Sequence, residues 1–295
     1  IMEAVGNGSR WGVKITYIEQ EAPLGLAHAV LTAESYLKGK PFVMYLGDNL
    51  IKDGITPLVK EFRNKKPHSM ILLARVPDPS QFGVAELKGN QVVRLVEKPK
   101  RPKSDLALVG VYMFDSNIMK AARAIKPSFR NELEITDAIQ WLIDNGYEVA
   151  PHIVTGWWKD TGKLEDLLEA NRMLLDDLEM NIQGKIDSAS EVHFKVVVGK
   201  GVRIQESTLR GPAIIGENTH IINSFVGPFT SISQNCKIVE SEIEHSIVLE
   251  GSSIMNIKTR IVDSLVGKNV EVSDSDLKPK AFRFMLGDNS KVGIF

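Results

Sequence analysis

Two aspartates, Asp48 and Asp160, are the residues whose type and position best suit them to chemistry. Asp48 lies in FVMYLGDN (42–49) and Asp160 in TGWWKDTGK (155–163), and each follows a short strand-like segment. A buried strand that breaks at Gly-Asp-Asn delivers its carboxylate to the edge of a sheet, where open α/β sheets bind ligands. Two such carboxylates are what a divalent metal and a phosphate ester require. The simpler alternatives are a turn aspartate at position 48 and a helix cap at position 160.

The elements that must position these aspartates alternate between strand and helix from Val13 to about Leu178. This order predicts repeated βα units and a largely parallel sheet. A hairpin with its turn at 88–91 is predicted between two of the strands, and the last helix is expected to close the domain. Strands are predicted at 13–18, 42–46, 69–76, 82–87, 92–99 and 107–114, and helices at 26–37, 55–66, 131–145 and 164–179.

The pattern changes after about residue 180, where aliphatic residues recur every five or six positions. Small or polar residues often follow them, as in VGKGV and IGENTHI, which is typical of hexapeptide repeats. The repeat predicts a parallel β-helix over 181–295 rather than a β-sandwich, whose strands recur every 8–12 residues. The recurring interior residues are predicted to be Val198, Ile204, Leu209, Ile215, Ile221, Val226, Ile232 and Ile238.

Composition narrows the class of partner. The 295 residues are 43% hydrophobic and 25% charged, with a net charge of −1, which suits two folded domains and gives no electrostatic footprint for nucleic acid or an anionic membrane. One cysteine, Cys236, excludes an internal disulfide and fits a reducing cytoplasm. No apolar run approaches the length of a membrane span, and the six histidines show no zinc-ligand spacing. A small-molecule partner is therefore expected.

An ordered set of motifs then resembles the sugar nucleotidyltransferases. The motifs are G-x-G-S-x-W-G, Q-x-x-P-x-G-L-A-x-A, L-G-D-N, F-G-V, E-K-P, V-G-x-Y-x-F, N-E-L-E-I-T-D and W-x-D-T-G, from about Gly6 to Asn171, and the hexads with the closing FMLGDNS extend the match nearly to Phe295. The resemblance is strongest to the long form of glucose-1-phosphate thymidylyltransferases. It implies a Rossmann-like nucleotidyltransferase domain over 1–180 and a left-handed β-helix over 181–295.

The resemblance also implies a reaction and roles for matched residues. A nucleotidyl group would pass from dTTP to glucose 1-phosphate with release of pyrophosphate, and Mg²⁺ would be held by Asp48 and Asp160. Glu97 would bind sugar hydroxyls and Lys98 the sugar phosphate, so that Lys98 joins the two aspartates as a catalytic residue. The remaining implied residues are Gln20 and Gly25 for the nucleotide base, and Gly83, Tyr112 and Trp158 for the sugar.

Each of these roles has a simpler structural alternative. Gln20 and Gly25 could form a plain strand-to-helix loop, and Leu24, in place of an acidic or polar residue, leaves thymine and uracil both open. Glu97 and Lys98 could be a solvated strand end, Gly83 a bulge, and Tyr112 and Trp158 packing residues. Glu134, Thr136 and Asp137 are expected to serve either as helix-capping residues or as ligands.

One departure from the family pattern concerns the Gly-rich loop G-x-G-T-R, which binds phosphates in the family. Neither this loop nor the lysine after it is found between Ile1 and Phe295, and a chain without it is expected to be inactive or severely impaired. Three alternatives to dTTP-dependent transfer therefore stay open: a UTP-dependent enzyme, a non-catalytic regulatory homologue, and a β-helix acyltransferase. A homo-oligomeric assembly is expected.

Overall fold

A computed structural model describes residues 1–274 and 290–293 of the chain, so FMLGDN of the closing motif lies outside the described residues. The chain divides into two units, Ile1–Asp160 and Thr161–Phe295. The sequence places the boundary at residue 180 instead. The difference is the helix Leu164–Leu175, which lies in the second unit because Asn171 donates to the carbonyl oxygen of Phe229 (3.0 Å) and accepts from Ser231 (2.6 Å).

The first unit contains short helices and a six-stranded sheet. Its α-helices are α1 (Met2–Val5), α2 (Leu26–Thr32), α3 (Glu34–Leu37), α4 (Thr56–Lys65), α5 (Asn117–Ala124) and α6 (Ile135–Asp144), with 3-10 turns at Ser9–Trp11 and Pro79–Gln81. Its strands are β1 (Phe42–Tyr45), β2 (Asn49–Ile51), β3 (Ser69–Arg75), β4 (Gly83–Lys88), β5 (Gln91–Glu97), β6 (Leu106–Phe114), β7 (Val149–Ile153) and β8 (Trp158–Asp160).

The sheet is mixed, with most of its strands in one direction. Its path is β5-β4-β6-β3-β7, and β1 also pairs with β6. Because β6 is antiparallel to β1, β3 and β4, and β3 is parallel to β7, strands β1, β3, β4 and β7 share one direction. Strands β5 and β6 run the opposite way. The expected α/β fold is confirmed, and β4 and β5 form the predicted hairpin with Gly89 at φ 61° in its turn.

Helices cover both faces of this sheet, which explains why its central strands are continuous apolar runs. Helices α2, α5 and α6 pack on one face, against alternate residues such as Ile71 and Leu73 of β3. Helix α4 packs on the other face through Leu58 and Phe62, against Met70 and its neighbours. The strands are thereby fixed from both sides, so their ends offer a rigid platform for polar side chains.

The predicted first strand, Val13–Ile18, is wrong. In the structure this segment has no regular secondary structure, and Val13, Tyr17 and Ile18 are exposed. Its backbone bonds return to its own loop, from the Val13 N–H to the Gly8 carbonyl oxygen (3.2 Å) and from Ile15 to Asn7 (3.1 Å). An alternating apolar pattern makes a strand only where a neighbouring strand supplies a hydrogen-bonding partner, and none of the described residues does so here.

The second unit is a β-solenoid, as in a left-handed β-helix, preceded by α7 (Leu164–Leu175), and the predicted hexapeptide architecture is confirmed. Its strands stack into three parallel sheets of six, five and six strands. They are β9 (Asn181–Ile182), β10 (Lys185–Ile186), β11 (Glu191–His193), β12 (Val196–Val198), β13 (Arg203–Gln205), β14 (Thr208–Arg210), β15 (Ala213–Ile215), β16 (His220–Ile222), β17 (Phe225–Val226), β18 (Thr230–Ile232), β19 (Lys237–Val239), β20 (Glu242–Glu244), β21 (Ile247–Val248), β22 (Ser253–Met255), β23 (Ile261–Val262), β24 (Leu265–Val266) and β25 (Glu271–Ser273).

Each turn of the solenoid places one aliphatic residue per strand over its equivalent in the next turn. Ile204 lies opposite Ile221, which lies opposite Ile238, and all three are at most 1% exposed. Buried serines align in the same way at the corners: the Ser224 N–H donates to the hydroxyl of Ser207, seventeen residues earlier (3.0 Å). The stacked aliphatic side chains fill the interior of the solenoid, and the aligned serine hydroxyls accept hydrogen bonds from buried backbone N–H groups at its corners.

Among the described residues, no helix is long and apolar enough to cross a membrane.

Candidate active site

Asp48 and Asp160 are brought next to each other by a small two-stranded sheet. Strand β1 ends at Tyr45, where the Leu46 N–H still donates to the carbonyl oxygen of Gly110 on β6 (2.8 Å). The chain then turns into β2, with the Asn49 N–H donating to the Leu46 carbonyl oxygen (3.1 Å). In the antiparallel pair of β2 and β8, Asn49 lies opposite Asp160. Asp48 immediately precedes Asn49, so two aspartates that are remote in sequence lie close together at one edge of the first unit.

The Asn49 side chain, which sequence reasoning did not single out, connects these elements. It is only 4% exposed. Its Oδ1 accepts hydrogen bonds from the Gly110 N–H (2.9 Å) and the Trp158 Nε1–H (2.6 Å), and its Nδ2 donates to Oδ1 of Asp48 (2.8 Å). Position 110 must be glycine for this arrangement, because a Cβ there would lie 2.6 Å from Asn49 Nδ2. The amide thus holds Asp48 and the strand that carries Asp160 together.

Tyr112 lies within the electrostatic reach of three carboxylates. It is 4% exposed on β6, with its ring stacked on Phe114 at a centroid distance of 5.9 Å. Burial raises the pKa of Tyr112, and the negative charges of Glu97, Asp48 and Asp160 raise it further. The Tyr112 hydroxyl therefore stays protonated, under the influence of both the aspartate pair and the residue predicted to bind the sugar.

Glu97 is held at the end of β5 by contacts that also explain Gly83. Its Oε2 accepts a hydrogen bond from the Thr136 hydroxyl (2.6 Å), and Gly83 is its Cα partner on β4. A Cβ at position 83 would lie 2.9 Å from the Thr136 oxygen and 3.2 Å from Glu97 Oε2. Burial raises the pKa of Glu97, although the Thr136 bond and the charge of Arg130 oppose this rise. Gly83 therefore makes room for an oriented, partly desolvated carboxylate.

Arg130 is a second residue that sequence reasoning missed. Its Nη2 lies 3.4 Å from Glu97 Oε1, and it forms two bonds of 2.9 Å with the two oxygens of Glu134, which also accepts from the Ser128 hydroxyl (2.7 Å). Glu134 occupies the N-cap position of α6 without making a side-chain cap. Its carboxylate anchors Arg130 instead. In the sequence, the one indication of this cluster was the group of charged residues at the start of the predicted helix.

Lys98 follows Glu97 in a backbone conformation that is uncommon for a residue with a side chain. Its φ is 42°, in the left-handed region. The Lys98 N–H donates to the carbonyl oxygen of Phe82 (3.0 Å), and the Phe82 ring meets the Trp158 ring edge-on with centroids 5.4 Å apart. Such conformations persist where the surroundings over-determine them and cluster at functional sites. Through Phe82, the backbone of Lys98 is therefore connected to Trp158, the residue whose indole donates to Asn49.

Gln20 and Gly25 lie in a loop in which the side chain of Gln20 makes local hydrogen bonds. The Gln20 Nε2 lies 3.2 Å from the Gly25 carbonyl oxygen and 2.9 Å from Nδ1 of His28. Gly25 has a φ of 97°, and a Cβ there would lie 2.5 Å from the Leu133 carbonyl oxygen. Packing therefore explains the glycine by itself, while the amide of Gln20 is held with its nitrogen toward the protein.

The donor set at Asp48 and Asp160 fits a hard divalent cation. No group of three or more His, Cys, Asp or Glu side chains with metal-binding geometry occurs within residues 1–274 and 290–293. Magnesium, however, is usually held by one or two carboxylates, with water and substrate phosphates completing its octahedron. Two adjacent aspartates are consistent with that pattern and not with a closed structural site.

Comparison with known proteins decides the family. The family model described as nucleotidyl transferase matches residues 1–177. The chain belongs to the nucleotidyl transferase family. Members of this family are generally dependent on a divalent metal. The match covers every residue of the site described above.

Individual nucleotidyl transferases resemble the chain over its whole length. It is 54% identical to a glucose-1-phosphate thymidylyltransferase from Streptomyces antibioticus and 48% identical to one from Streptomyces griseus, in each case over all of this chain and 83% of the relative. A crystal structure of a Bacillus anthracis protein assigned as a glucose-1-phosphate thymidylyltransferase, in complex with a sucrose, is 37% identical. It matches with a TM-score of 0.55 over 61% of this chain and 72% of that one.

Proposed function

We propose that this chain transfers a thymidylyl group from dTTP to glucose 1-phosphate, giving dTDP-glucose and pyrophosphate. The observation that carries the proposal is the juxtaposition of Asp48 and Asp160 through the pairing of Asn49 with Asp160. Two relatives of about half identity bear the corresponding enzyme name. The proposed reaction uses the aspartate pair for the phosphates, and Glu97 with its neighbours for the sugar.

The proposed chemistry needs positioning and charge neutralisation rather than a general base. A sugar phosphate oxygen is already ionised near neutral pH and attacks the α-phosphorus in line, so the barrier lies in bringing anions together. Two carboxylates alone would oppose this, because like charges 4 Å apart repel by about 4 kcal/mol at an effective dielectric near 20. Asp48 and Asp160 would hold Mg²⁺, whose positive charge would offset that of the carboxylates and of the phosphates. Lys98 would supply further positive charge from the protein.

Sugar recognition is proposed for the surface formed by Glu97, Gly83, Tyr112 and Trp158. The ionised Glu97 accepts hydrogen bonds from sugar hydroxyls, and Thr136 holds its second oxygen in place. The Tyr112 hydroxyl can donate, because its raised pKa keeps it protonated. Because Gly83 has no side chain, the Glu97 carboxylate is not displaced.

Base recognition is proposed for Gln20. Its Nε2 is directed at Gly25 and His28, so its Oε1 is the atom suited to accept the ring N–H of a pyrimidine. Thymine and uracil share that N–H, and the amide does not by itself distinguish dTTP from UTP. The preference for dTTP rests on the names of the relatives.

We further propose that the enzyme is cytoplasmic and forms a homo-oligomer.

A pyrophosphate-release assay tests the proposal. The protein is incubated with Mg²⁺ and every combination of dTTP, UTP, ATP, CTP or GTP with glucose, galactose, mannose or glucosamine 1-phosphate. We expect the fastest release with dTTP and glucose 1-phosphate. Pyrophosphate release with UTP but not with dTTP would instead show that the enzyme is specific for UTP.

Two further results would overturn the enzyme assignment. If the protein releases no pyrophosphate with any pair and yet binds dTDP-glucose in calorimetry, it is a binding homologue rather than a transferase. Consumption of acetyl-CoA in the presence of an amino sugar phosphate would assign acyl transfer to the β-helix.

A further inference from the structure

The buried amide of Asn49 offers an inference about how the aspartate pair is held. Three hydrogen bonds determine its orientation. Its Oδ1 accepts from two N–H groups, Gly110 at 2.9 Å and the Trp158 indole at 2.6 Å. Neither donor can bond to an amide nitrogen, so Nδ2 must be the atom that faces Asp48.

The consequence for Asp48 is a fixed carboxylate. A hydrogen bond of 2.8 Å from Asn49 Nδ2 to Oδ1 of Asp48 restricts rotation about the last bond of the aspartate side chain. Charge-assisted bonds of this kind are about twice as strong as neutral ones. Asn49 is buried, so water competes little for its amide, while Asp48 itself is exposed at the surface.

The consequence for Asp160 follows through the strand that carries it. Trp158 and Asp160 are the first and last residues of β8. The indole bond to Asn49, together with the pairing of Asn49 with Asp160, fixes β8 against β2. One amide thus sets the orientation of the first carboxylate and the position of the strand bearing the second.

We infer that Asn49 is a positioning residue that holds Asp48 and Asp160 in the geometry required to bind one divalent cation. The inference rests on the proposed metal-dependent function, which it deepens. Loss of a hydrogen-bonding partner behind a metal ligand typically weakens metal affinity or activity by about 10- to 100-fold. Asn49 should therefore affect cation affinity even though it lies behind the ligands.

Binding of Mn²⁺ alone, measured by the loss of its free-ion EPR signal, tests this inference without turnover. The variants are Asn49→Ser, which cannot span all three bonds, and Asn49→Thr, which suits a strand and serves if the serine variant does not fold. Asn117→Ser is the matched control, because Asn117 Nδ2 also donates to an aspartate, Asp115, at 2.9 Å. Thermal melting establishes that each variant is folded.

We expect folded Asn49 variants to bind Mn²⁺ about 10- to 100-fold more weakly than the unmodified chain, and Asn117→Ser to bind it equally well. Unchanged affinity in a folded Asn49 variant would overturn the inference, as would an equal loss in Asn117→Ser. If the unmodified chain binds no Mn²⁺, the inference fails together with the metal site. Pyrophosphate release then decides separately whether the proposed transfer occurs.

Discussion

Substituting Gly83 by alanine tests whether the absence of a side chain at position 83 is needed to hold the Glu97 carboxylate in place. Gly83 does not have a positive φ, so alanine is not excluded by its backbone. Its methyl group would instead lie 2.9 Å from the Thr136 hydroxyl oxygen, 3.1 Å from Leu108 Cδ1 and 3.2 Å from Glu97 Oε2. Thr136 and Glu97 would have to separate by a few tenths of an ångström, at the expense of their 2.6 Å bond.

The expected magnitude follows from this geometry. Overpacking by one methyl group in a well-packed site costs about 1–3 kcal/mol of stability. A hydrogen bond to a charged group contributes about 1.5–3 kcal/mol. If the displaced Glu97 loses one such bond to a sugar hydroxyl, the affinity for glucose 1-phosphate should fall roughly 10- to 100-fold, at 1.4 kcal/mol per factor of ten.

Calorimetric titration of glucose 1-phosphate and urea unfolding measure the two effects. Gly267→Ala is the control, because the nearest atom to a Cβ there, among the described residues, is Val270 Cγ2 at an ordinary 3.6 Å. Thr136→Ala should reduce the effect of Gly83→Ala, since it removes the oxygen that the new methyl strikes. The reasoning is refuted if Gly83→Ala binds glucose 1-phosphate and unfolds like the unmodified chain.

Three further predictions concern other parts of the molecule. Asp48→Asn should reduce turnover on the order of 100-fold by removing a charge at the proposed metal site, while leaving the melting temperature similar; near-normal pyrophosphate release would contradict the metal assignment. Glu97→Gln should raise the melting temperature at neutral pH. Burial raises the pKa of Glu97, so its ionised carboxylate destabilises the folded state above that raised pKa and has no such effect below the ordinary glutamate pKa. The gain in melting temperature of Glu97→Gln should therefore disappear near about pH 4. A gain in melting temperature that does not depend on pH would be inconsistent with this. Ile221→Ala, in the fully buried row between Ile204 and Ile238, should lower the free energy of unfolding by about 2–5 kcal/mol, and a change below about 1 kcal/mol in urea unfolding would disprove close packing there.

The β-helix could be predicted in detail because its signal is local and repeated. Each turn buries the same kind of residue as the turn before it, as with Leu209 and Val226, which are paired and fully buried. The hairpin of β4 and β5 was likewise predictable from the turn at Gly89. In both cases the residues that interact lie close in sequence or recur with a fixed period.

The predictions that failed, and the residues that were missed, depend on partners distant in sequence. The segment Val13–Ile18 has a strand-like pattern but finds no strand partner among the described residues, and its polar and apolar side chains remain largely exposed. Asn49 appeared only as part of a turn motif, since its bonds reach Gly110, 61 residues on, and Trp158, 109 residues on. No local pattern reveals that an amide will be buried against two such distant partners.

The segment around Leu133 connects the two substrate-binding regions proposed for the first unit. Its N–H donates to the Leu24 carbonyl oxygen (2.8 Å), and its own carbonyl oxygen accepts from the Ala27 N–H (3.0 Å). The next residue, Glu134, anchors Arg130 beside Glu97. The Gln20 loop and Glu97, which we propose to bind the base and the sugar, are therefore both held by the short segment 133–134. We expect a shift of that loop to alter the arrangement of charges around Glu97. A side chain at Gly25, which would strike the Leu133 backbone, should accordingly impair sugar binding as well as nucleotide binding.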